Sequence, residues 1–496
     1  MNLIDRAIAV VSPRRALTRV RTRMALMNYD AATVGRRGQS WKPSNADADA
    51  AARKRDRLTF IARDMVRNTP FAARAQQVIA NNTVGDGIIP KMRHPDPEIR
   101  KRGLERIEAY LDTTRIDADG RQNLYGLQRL AMNCIVDSGE VLILREQVTP
   151  RPGEMGLQLR VLEPDYLDPL RDGLLPSGNS VHEGIEYDPT GRRVAYHLFD
   201  QHPGSDWFLG VGWRGRSTRV PADRVLHIYR QDRPGQMRGV SWFAGIALSL
   251  QDLGDYQDAQ IMRQKIAACF AAFRKLSGDS PVREEDEMGK TLSPGLIQDI
   301  APDEEITFSS PPDVGGYDVF MQSVLGSIAA GLGITYEALT GDLAKVNFSS
   351  GRMGRMEMDR NVSSWQWLML IPQMLQPIGR WLLEDWALSD PTHAAAIRSA
   401  TVEWVPPHRI LVDPTREIPA LRDAVRAGFA SRQGVVRQLG ADPERLMDEI
   451  RADVAGARSD GLVFDSDASA VSLAGVSQPP APEDEEETRK GASSGT

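Results

Sequence analysis

The 496-residue sequence predicts an α+β fold in which antiparallel strands are set among long helices. Three observations lead there. Apolar residues recur at three- and four-residue steps through 51–82, 240–275, 317–333 and 352–388, the period of helices with one buried side. Short alternating or continuous apolar runs, separated by turn residues, follow one another between about 140 and 230, as an antiparallel sheet requires. Between two of the long helices, residues 277–312 break down into Gly, Pro and acid, with strand candidates at Leu296–Ile300 and Glu305–Phe308. That marks a small inserted α/β or β unit.

Taken in order, residues 1–57 hold 13 Lys or Arg against 5 Asp or Glu and few large apolar groups. They read either as a flexible or peripherally docked arm, or as an arm touching nucleic acid or a neighbouring subunit. In 51–82, Leu58, Ile61, Met65, Ala75, Val78 and Ile79 make one apolar side. Asn68-Thr69-Pro70 ends one helix and starts the next, because proline suits a first turn and not an interior. Val84 to Pro90 turns into a short strand. Helices follow at 97–112 and 121–138. Strands are expected at Val141–Leu144, Leu157–Leu162, Gly184–Tyr187, Arg193–Phe199 and Val225–Tyr229.

Through the 240–275 helix, Ile246, Leu250, Leu253, Met262, Ile266, Cys269 and Phe273 recur at three- and four-residue steps. After the insert, an apolar helix from Tyr317 meets the break Gly331-Leu332-Gly333. A short helix then ends at Thr340-Gly341, and a polar loop carries Lys345, Asn347 and Arg352. In 352–388, Pro372 and Pro377 should bend the helix. Its Trp365, Trp367, Trp381 and Trp386 suit either a core or an interface between subunits. Val402–Val405 is a strand, and 414–456 are helices. From 457 the Ser, Ala, Asp and Pro composition predicts a disordered tail.

Bulk composition narrows the function. With 61 basic and 67 acidic residues the formal charge is −6, so the chain as a whole is not a basic nucleic-acid binder and any anion contact is local. Cys134 and Cys269 both lie in apolar patterns, as buried reduced thiols do. No apolar run reaches the ~18 residues of a membrane span, and Asp5 and Arg6 interrupt the N-terminal apolar stretch, so cytoplasmic synthesis without a signal peptide is expected.

Catalytic signatures are decoys. Gly289-Lys290-Thr291 resembles the end of a phosphate-binding loop, but Glu284 stands where its first glycine belongs. Gly331-Leu332-Gly333 lacks a third glycine and follows a helix where a strand is needed. The 7 histidines include no HExxH pair, and there is no CxxC or G-x-S-x-G. His197 and His227 sit in strand patterns as structural residues. No metal or cofactor site is nominated. The loop Gly341–Ser350 is either plain surface or a mobile loop that offers Lys345 and Asn347 to a polyanion.

Four blocks together resemble the lambda-type portal proteins of tailed bacteriophages. FMQSVLGSIAAGLGITYEAL, Phe320 to Leu339, is similar to that family's apolar helix, AAGLG turn and Tyr-Glu-x-Leu, and its Ser/Thr-x-Arg ending appears as Ser349-Ser350-Gly351-Arg352 with one residue inserted. ARDMVRNTPFA, Ala62 to Ala72, with Val84-Gly85-Asp86-Gly87-Ile88, resembles the N-terminal block. Gln236-Met237-Arg238-Gly239-Val240-Ser241 resembles the turn before the long helix. Val412-Asp413-Pro414 with Arg422 to Gly440 resembles the C-terminal block. The likeness spans about residues 30 to 455.

The resemblance implies a portal-type fold: a mixed wing domain with antiparallel sheet over 30–240 and 353–400, two long stem helices at 241–275 and 314–333, a clip at 277–312, a tunnel loop at 340–352, and a helical crown at 405–456. It implies a homo-oligomeric ring, a dodecamer, at one capsid vertex of the virion, assembled in the host cytoplasm. Duplex DNA would pass through its channel in packaging and ejection, and the large terminase, the major capsid or scaffold protein and a head–tail adaptor would dock on it. No enzyme activity, cofactor or membrane is implied. The DNA-facing residues expected are Lys345, Asn347, Arg352 and Arg355. The competing reading is a phage-encoded metal-dependent nuclease or protease with a scaffold role.

Overall fold

The computed structural model describes residues 12, 14, 40, 43–52, 54–149, 154–205, 216–268, 272–275, 297–300, 316–344, 346–407 and 413–462. The chain divides into two compact units, Met1–Arg53 with Arg233–Met237, and Lys54–Asp232 with Arg238–Thr496. In the first, a single helical turn, Ala48–Ala51, is capped by Asp47, which accepts from Ala50 N at 2.7 Å. Asp49 of that turn accepts from Met237 N at 2.8 Å, and Arg233 donates to Ala46 O at 3.2 Å.

The second unit opens with α1 (Arg55–Asn68) and α2 (Pro70–Val84), divided at Thr69-Pro70 as the sequence predicts. Ala72, Ala75, Val78 and Ile79 of α2 are buried. The chain turns into β1 (Ile89–Arg93), and Gln128 holds that turn: its amide accepts from Ile88 N at 2.8 Å and donates to Ile88 O at 3.0 Å. Helices α3 (Pro97–Leu111) and α4 (Leu124–Ser138) follow. Gly103 inside α3 has a packing reason, since a Cβ there would come within 2.7 Å of the Trp386 ring.

Strands β2 (Glu140–Gln147), β3 (Leu157–Leu162), β4 (Gly173–Leu174), β5 (Ser180–His182), β6 (Ile185–Tyr187), β7 (Arg193–Phe199), β8 (Ser217–Pro221) and β9 (Val225–Tyr229) form two antiparallel sheets, not the one expected. One is β3-β2-β9; the other is the meander β4-β5-β6-β7-β8. The division falls after β3, where Pro164–Tyr166 forms a 3-10 turn and the chain leaves the first sheet until β9 returns beside β2. His197 and His227 are both buried in strands.

The long helix expected at 240–275 is shorter. A 3-10 turn, Trp242–Gly245, leads into α5 (Ala247–Ala268). Residues Ala272–Lys275 are instead β10, paired in parallel with β11 (Ile297–Ile300). Phe273 therefore belongs to a strand. A short apolar run fits both periods, and only the non-local pairing decides. Most of the insert 277–312, its Glu305–Phe308 strand, Cys269 and the tail from 463 lie outside the described residues. Cys134 is a buried free thiol, and burial pushes its pKa up.

Helices α6 (Tyr317–Leu332), α7 (Tyr336–Thr340) and α8 (Phe348–Trp365) come next. A π-helical segment, Gln366–Leu375, contains Pro372 and joins α8 to α9 (Gln376–Ser389), which has Pro377 in its first turn. Pro372, which has no N–H to donate, thus falls where the winding is π instead of α, and Pro377 falls in a first turn, where proline is tolerated. The segment sends Gln366 to Thr83 O (2.8 Å), and Gln373 bonds both backbone groups of Tyr229 (3.0 and 3.1 Å). Trp365, Trp381 and Trp386 are core, whereas Trp367 is 55% exposed. Last come α10 (Ala394–Ser399), β12 (Thr401–Val405) antiparallel to β1, α11 (Pro414–Arg426), α12 (Arg432–Gln438) and α13 (Pro443–Ser459).

Candidate functional site

The loop between α7 and α8 is held by a frame that starts at the root of α5. Glu140, at the first position of β2, is almost wholly buried. It accepts from Arg238 Nε at 2.8 Å, His227 Nε2 at 2.8 Å and Gly239 N at 2.7 Å. Burial would raise its pKa, but the Arg238 guanidinium and the His227 donor hold the carboxyl well below the usual range. His227 is pushed down by burial and stays neutral, giving its Nε2 hydrogen to Glu140. Arg238 also reaches Glu183 Oε2 at 3.2 Å, where Arg55 meets the same carboxylate.

The backbone fits equally tightly there. A Cβ on Gly239 would lie 2.2 Å from Gly139 O, and one on Gly139 would lie 2.2 Å from Val240 C. Gly139 also has φ +89, a left-handed cap on α4. The Arg238-Gly239 pair thus has two local tasks, a buried ion pair and a backbone contact without room for a side chain.

From that root, α5 and α6 pack together, with Tyr256 against Tyr317 and Phe320 (ring centroids 5.9 and 4.5 Å). Gly331 lies close on Ile246, where a Cβ would approach Cγ2 to 2.5 Å. Gly333, at φ +70, ends α6, and Ile334 N donates back to Ala329 O at 3.1 Å. The Gly-Leu-Gly break is therefore one glycine for close approach and one for a helix end. Asn361 of α8 donates to Gly333 O at 2.9 Å, and Arg74 of α2 donates to Ala338 O at 3.2 Å. Leu339 is buried, Thr335 caps α7, and Gly341 ends it at φ +75.

The loop itself is short. Asp342 N donates to Thr340 Oγ1 at 3.1 Å and Ala344 N to Asp342 Oδ1 at 3.0 Å, with Leu343 67% exposed. Helix α8 begins at Phe348, so the stretch expected as loop through Arg352 is helical from there. Asn347 is its N-cap: Ser350 N donates to Asn347 Oδ1 at 2.8 Å and Asn347 N to Ser350 Oγ at 3.3 Å, a capping box. Its carbonyl-side oxygen is thus already engaged.

The expected site residues fall as follows. Lys345 lies outside the described residues. Asn347 is exposed at the cap. Arg352 is exposed and faces Glu417 of α11, Nη2 to Oε1 3.5 Å. Arg355 pairs with Asp359 one turn on (3.0 Å) and lines a crevice of about 700 Å³ with Asn82, Trp367, Pro407 and Arg437. The structure brings Asn347, Arg352 and Arg355 to the start of one helix, and it gives both arginines carboxylate partners. Sequence reading missed those acids, because Glu417 is distant in the chain, although Asp359 stands at the i+4 position that signals a helical pair.

Exposed apolar side chains occur on three of these helices: Ile261 and Met262 on α5, Val319 (70%) and Phe320 on α6, Met353 (73%) and Met356 on α8. Helix α11 has no buried residue, and Phe429 just after it is 88% exposed. Among the described residues no helix is long and apolar enough to cross a membrane.

One set of potential metal-ligating groups comes together among the described residues: Glu163, Asp165 and His202. His202 Nε2 is 3.0 Å from Glu163 and 3.9 Å from Asp165. Arg63 already takes these acids, at 2.6 Å from Asp165 and 3.6 Å from Glu163. His202 Nδ1 accepts from Gly204 N at 3.1 Å, which leaves the ring proton on Nε2. The arrangement is that of an ion-pair cluster around Arg63.

The profile of the family described as phage portal protein, lambda family, matches residues 34–366. The chain is 25% identical over 446 residues to a probable portal protein of Halomonas phage phiHAP-1, covering 84% of each. It is 23% identical over 501 residues to portal protein B of Escherichia phage lambda, covering 89% of this chain and 91% of that one. Among solved structures it is similar to a chain in the neck of a native gene transfer agent particle computed with C12 symmetry, at 18% identity and a TM-score of 0.41 over 77% of this chain and 94% of that one. It is also similar to an HK97 family portal protein from Corynebacterium diphtheriae, at 9% identity and a TM-score of 0.30 over 73% and 97%. At such TM-scores neither fixes the shape or the neighbours of this chain.

Proposed function

The chain belongs to the lambda family of phage portal proteins, and on that premise we propose that twelve copies close into a ring at one capsid vertex. A portal protein is the channel for DNA in packaging and ejection, and the family match over residues 34–366 is the observation that carries this role. A closed ring needs heterologous contacts, in which one patch of each copy meets a different, complementary patch of the next. The exposed Val319, Phe320, Met353 and Met356 supply apolar surface for them.

In this reading α5 and α6 are the stem, the insert 277–312 is the clip on which the large terminase docks, and α11–α13 belong to the crown at 405–456. The wing takes 30–240 and 353–400. A head–tail adaptor and the major capsid or scaffold protein hold the same ring from outside. The packaging ATPase supplies the work, and this chain adds no catalytic step. The ring assembles in the host cytoplasm and remains in the virion.

Lys345, Asn347, Arg352 and Arg355 face the DNA at the tunnel loop, which runs from Gly341 to Asn347 and into the start of α8. A wall that lets a polyanion slide must not sum many phosphate contacts, because affinity grows steeply with each counterion released. Carboxylate partners on Arg352 and Arg355 support such a weak grip. The test is a Lys345→Ala, Arg352→Ala double variant in a packaging assay. Reduced packaging or retention of DNA is expected; normal levels of both contradict the assignment of these residues.

A further inference from the structure

A groove runs past Trp367, the exposed tryptophan of the π-helical segment. On one side it is the crevice of about 700 Å³ that Arg355 lines. On the other it continues as a cavity of about 980 Å³ bounded by Arg93, Arg100, Ile371, Trp404 and Glu444. Trp367, Pro406 and Arg437 line both parts. Much of the Trp367 indole is open to solvent, whereas Trp365, Trp381 and Trp386 of the same stretch are core. The groove therefore has an aromatic platform at its middle.

Its rim carries cations that a further carboxylate can reach. Arg437 of α12 is exposed and has no carboxylate within ion-pair distance among the described residues. Arg93 and Arg100 are paired with exposed acids, Arg93 with Glu403 at 2.8 Å and Arg100 with Glu444 at 3.1 Å. Surface pairs of this kind are worth little and exchange readily for a competing carboxylate.

We propose that the groove is filled by a segment of the same chain, Pro479–Glu487, which reads PPAPEDEEE and lies outside the described residues. Its order matches the groove. Pro479, Pro480 and Pro482 favour the extended polyproline II backbone, which docks on aromatic faces at small entropic cost, and here on Trp367. The five acids that follow run along Arg437, Arg100 and Arg93. The path closes as well. Pro443 and Glu444 line the groove at the start of α13, whose 17 residues carry the chain about 25 Å away. Residues 463–478 extend to about 50 Å, enough to bring the prolines back. A tether of that length gives an effective concentration on the order of 1 mM, so a contact of similar affinity keeps the docked and free segments about equally populated.

The test places the photoreactive residue p-benzoylphenylalanine at position 481 of the full-length protein, between the prolines, and maps by mass spectrometry the peptides it captures on illumination. Peptides that hold Trp367, Pro406 or Arg437 are expected. Trp367→Ala should abolish their capture, and Arg437→Gln should at least about halve it, as the loss of a charge-assisted contact predicts. Circular dichroism checks that each variant is folded. In an equal mixture of 14N- and 15N-labelled copies, combined before assembly, each captured pair should carry a single label. No capture, capture elsewhere, or a yield indifferent to Trp367→Ala overturns the assignment. Pairs that join the two labels make a neighbouring copy the partner and overturn docking within one chain.

Discussion

Arg238 reaches back 98 residues to Glu140, Nε to Oε1 2.8 Å, and the two form a buried ion pair where β2, β9 and the root of α5 converge. The Arg238→Met variant leaves Glu140 charged and buried. It should lose about 3–5 kcal/mol of stability in equilibrium denaturation at matched protein concentration. A double change, Glu140→Leu with Arg238→Met, should recover part of that loss, because no charge is then stranded. If the single variant unfolds within about 0.5 kcal/mol of wild type, the pair is not the anchor described here.

The glycines beside that pair give a contrast. Gly139→Ala and Gly239→Ala would press a Cβ to 2.2 Å from backbone atoms that have no room to move. Both should yield little folded protein. At Gly331→Ala the obstacle is only Ile246 Cγ2, a side chain able to shift. Its cost should stay near about 1–3 kcal/mol, read from the same denaturation curves. Equal behaviour of all three variants would contradict the backbone contact.

Two tryptophans of one continuous helical stretch should behave oppositely. Trp386 has no exposed surface and packs on Gly103, so Trp386→Ala should cost about 3–5 kcal/mol. Trp367 is 55% exposed, and Trp367→Ala should leave the unfolding midpoint of the subunit within about 0.5 kcal/mol. A large loss at Trp367 would place it in the core after all.

Stability should also carry a signature of Asp137, whose carboxyl burial raises to about 6 against the pull of Ser138 and Arg63. The folded state then holds this proton more tightly than the unfolded state, with its ordinary value of 3.8. Asp137 therefore favours folding when protonated, and that contribution is lost as pH rises from about 4 to about 6. Glu140 works the other way: its depressed pKa gives stability above about 4.5 that is lost only as pH falls further. The Asp137→Asn variant should flatten the stability profile between pH 4 and 6, and above pH 6 it should gain no more than about 3 kcal/mol. An unchanged slope would show that Asp137 titrates normally.

Local rules made much of the fold legible. Thr69-Pro70 marks its helix boundary because proline acts on its own backbone, and the Gly331-Leu332-Gly333 break and the strands at Val225–Tyr229 follow from period and turn chemistry. What escaped depends on partners far along the chain. Phe273 fits a helical stripe until β10 pairs with β11, and the split into two sheets follows from β9 returning to β2. The Asn347 cap was readable in principle, with Ser350 three residues on, but serine is a less familiar closing partner than Glu or Gln. At the candidate site, the basic residues and the loop were visible, while Glu417 beside Arg352 was not, because nothing local connects them. The Glu140–His227–Arg238 cluster is likewise assembled from two strands and the turn before α5, where single residues give no signal.

Direct imaging of the purified full-length protein by cryo-electron microscopy bears on the central claim. The account predicts closed rings with twelve-fold symmetry, a central channel wide enough for duplex DNA, and the α7–α8 loop with the start of α8 lining it. Monomers at all accessible concentrations, or rings whose channel wall lacks that loop and helix start, would contradict it.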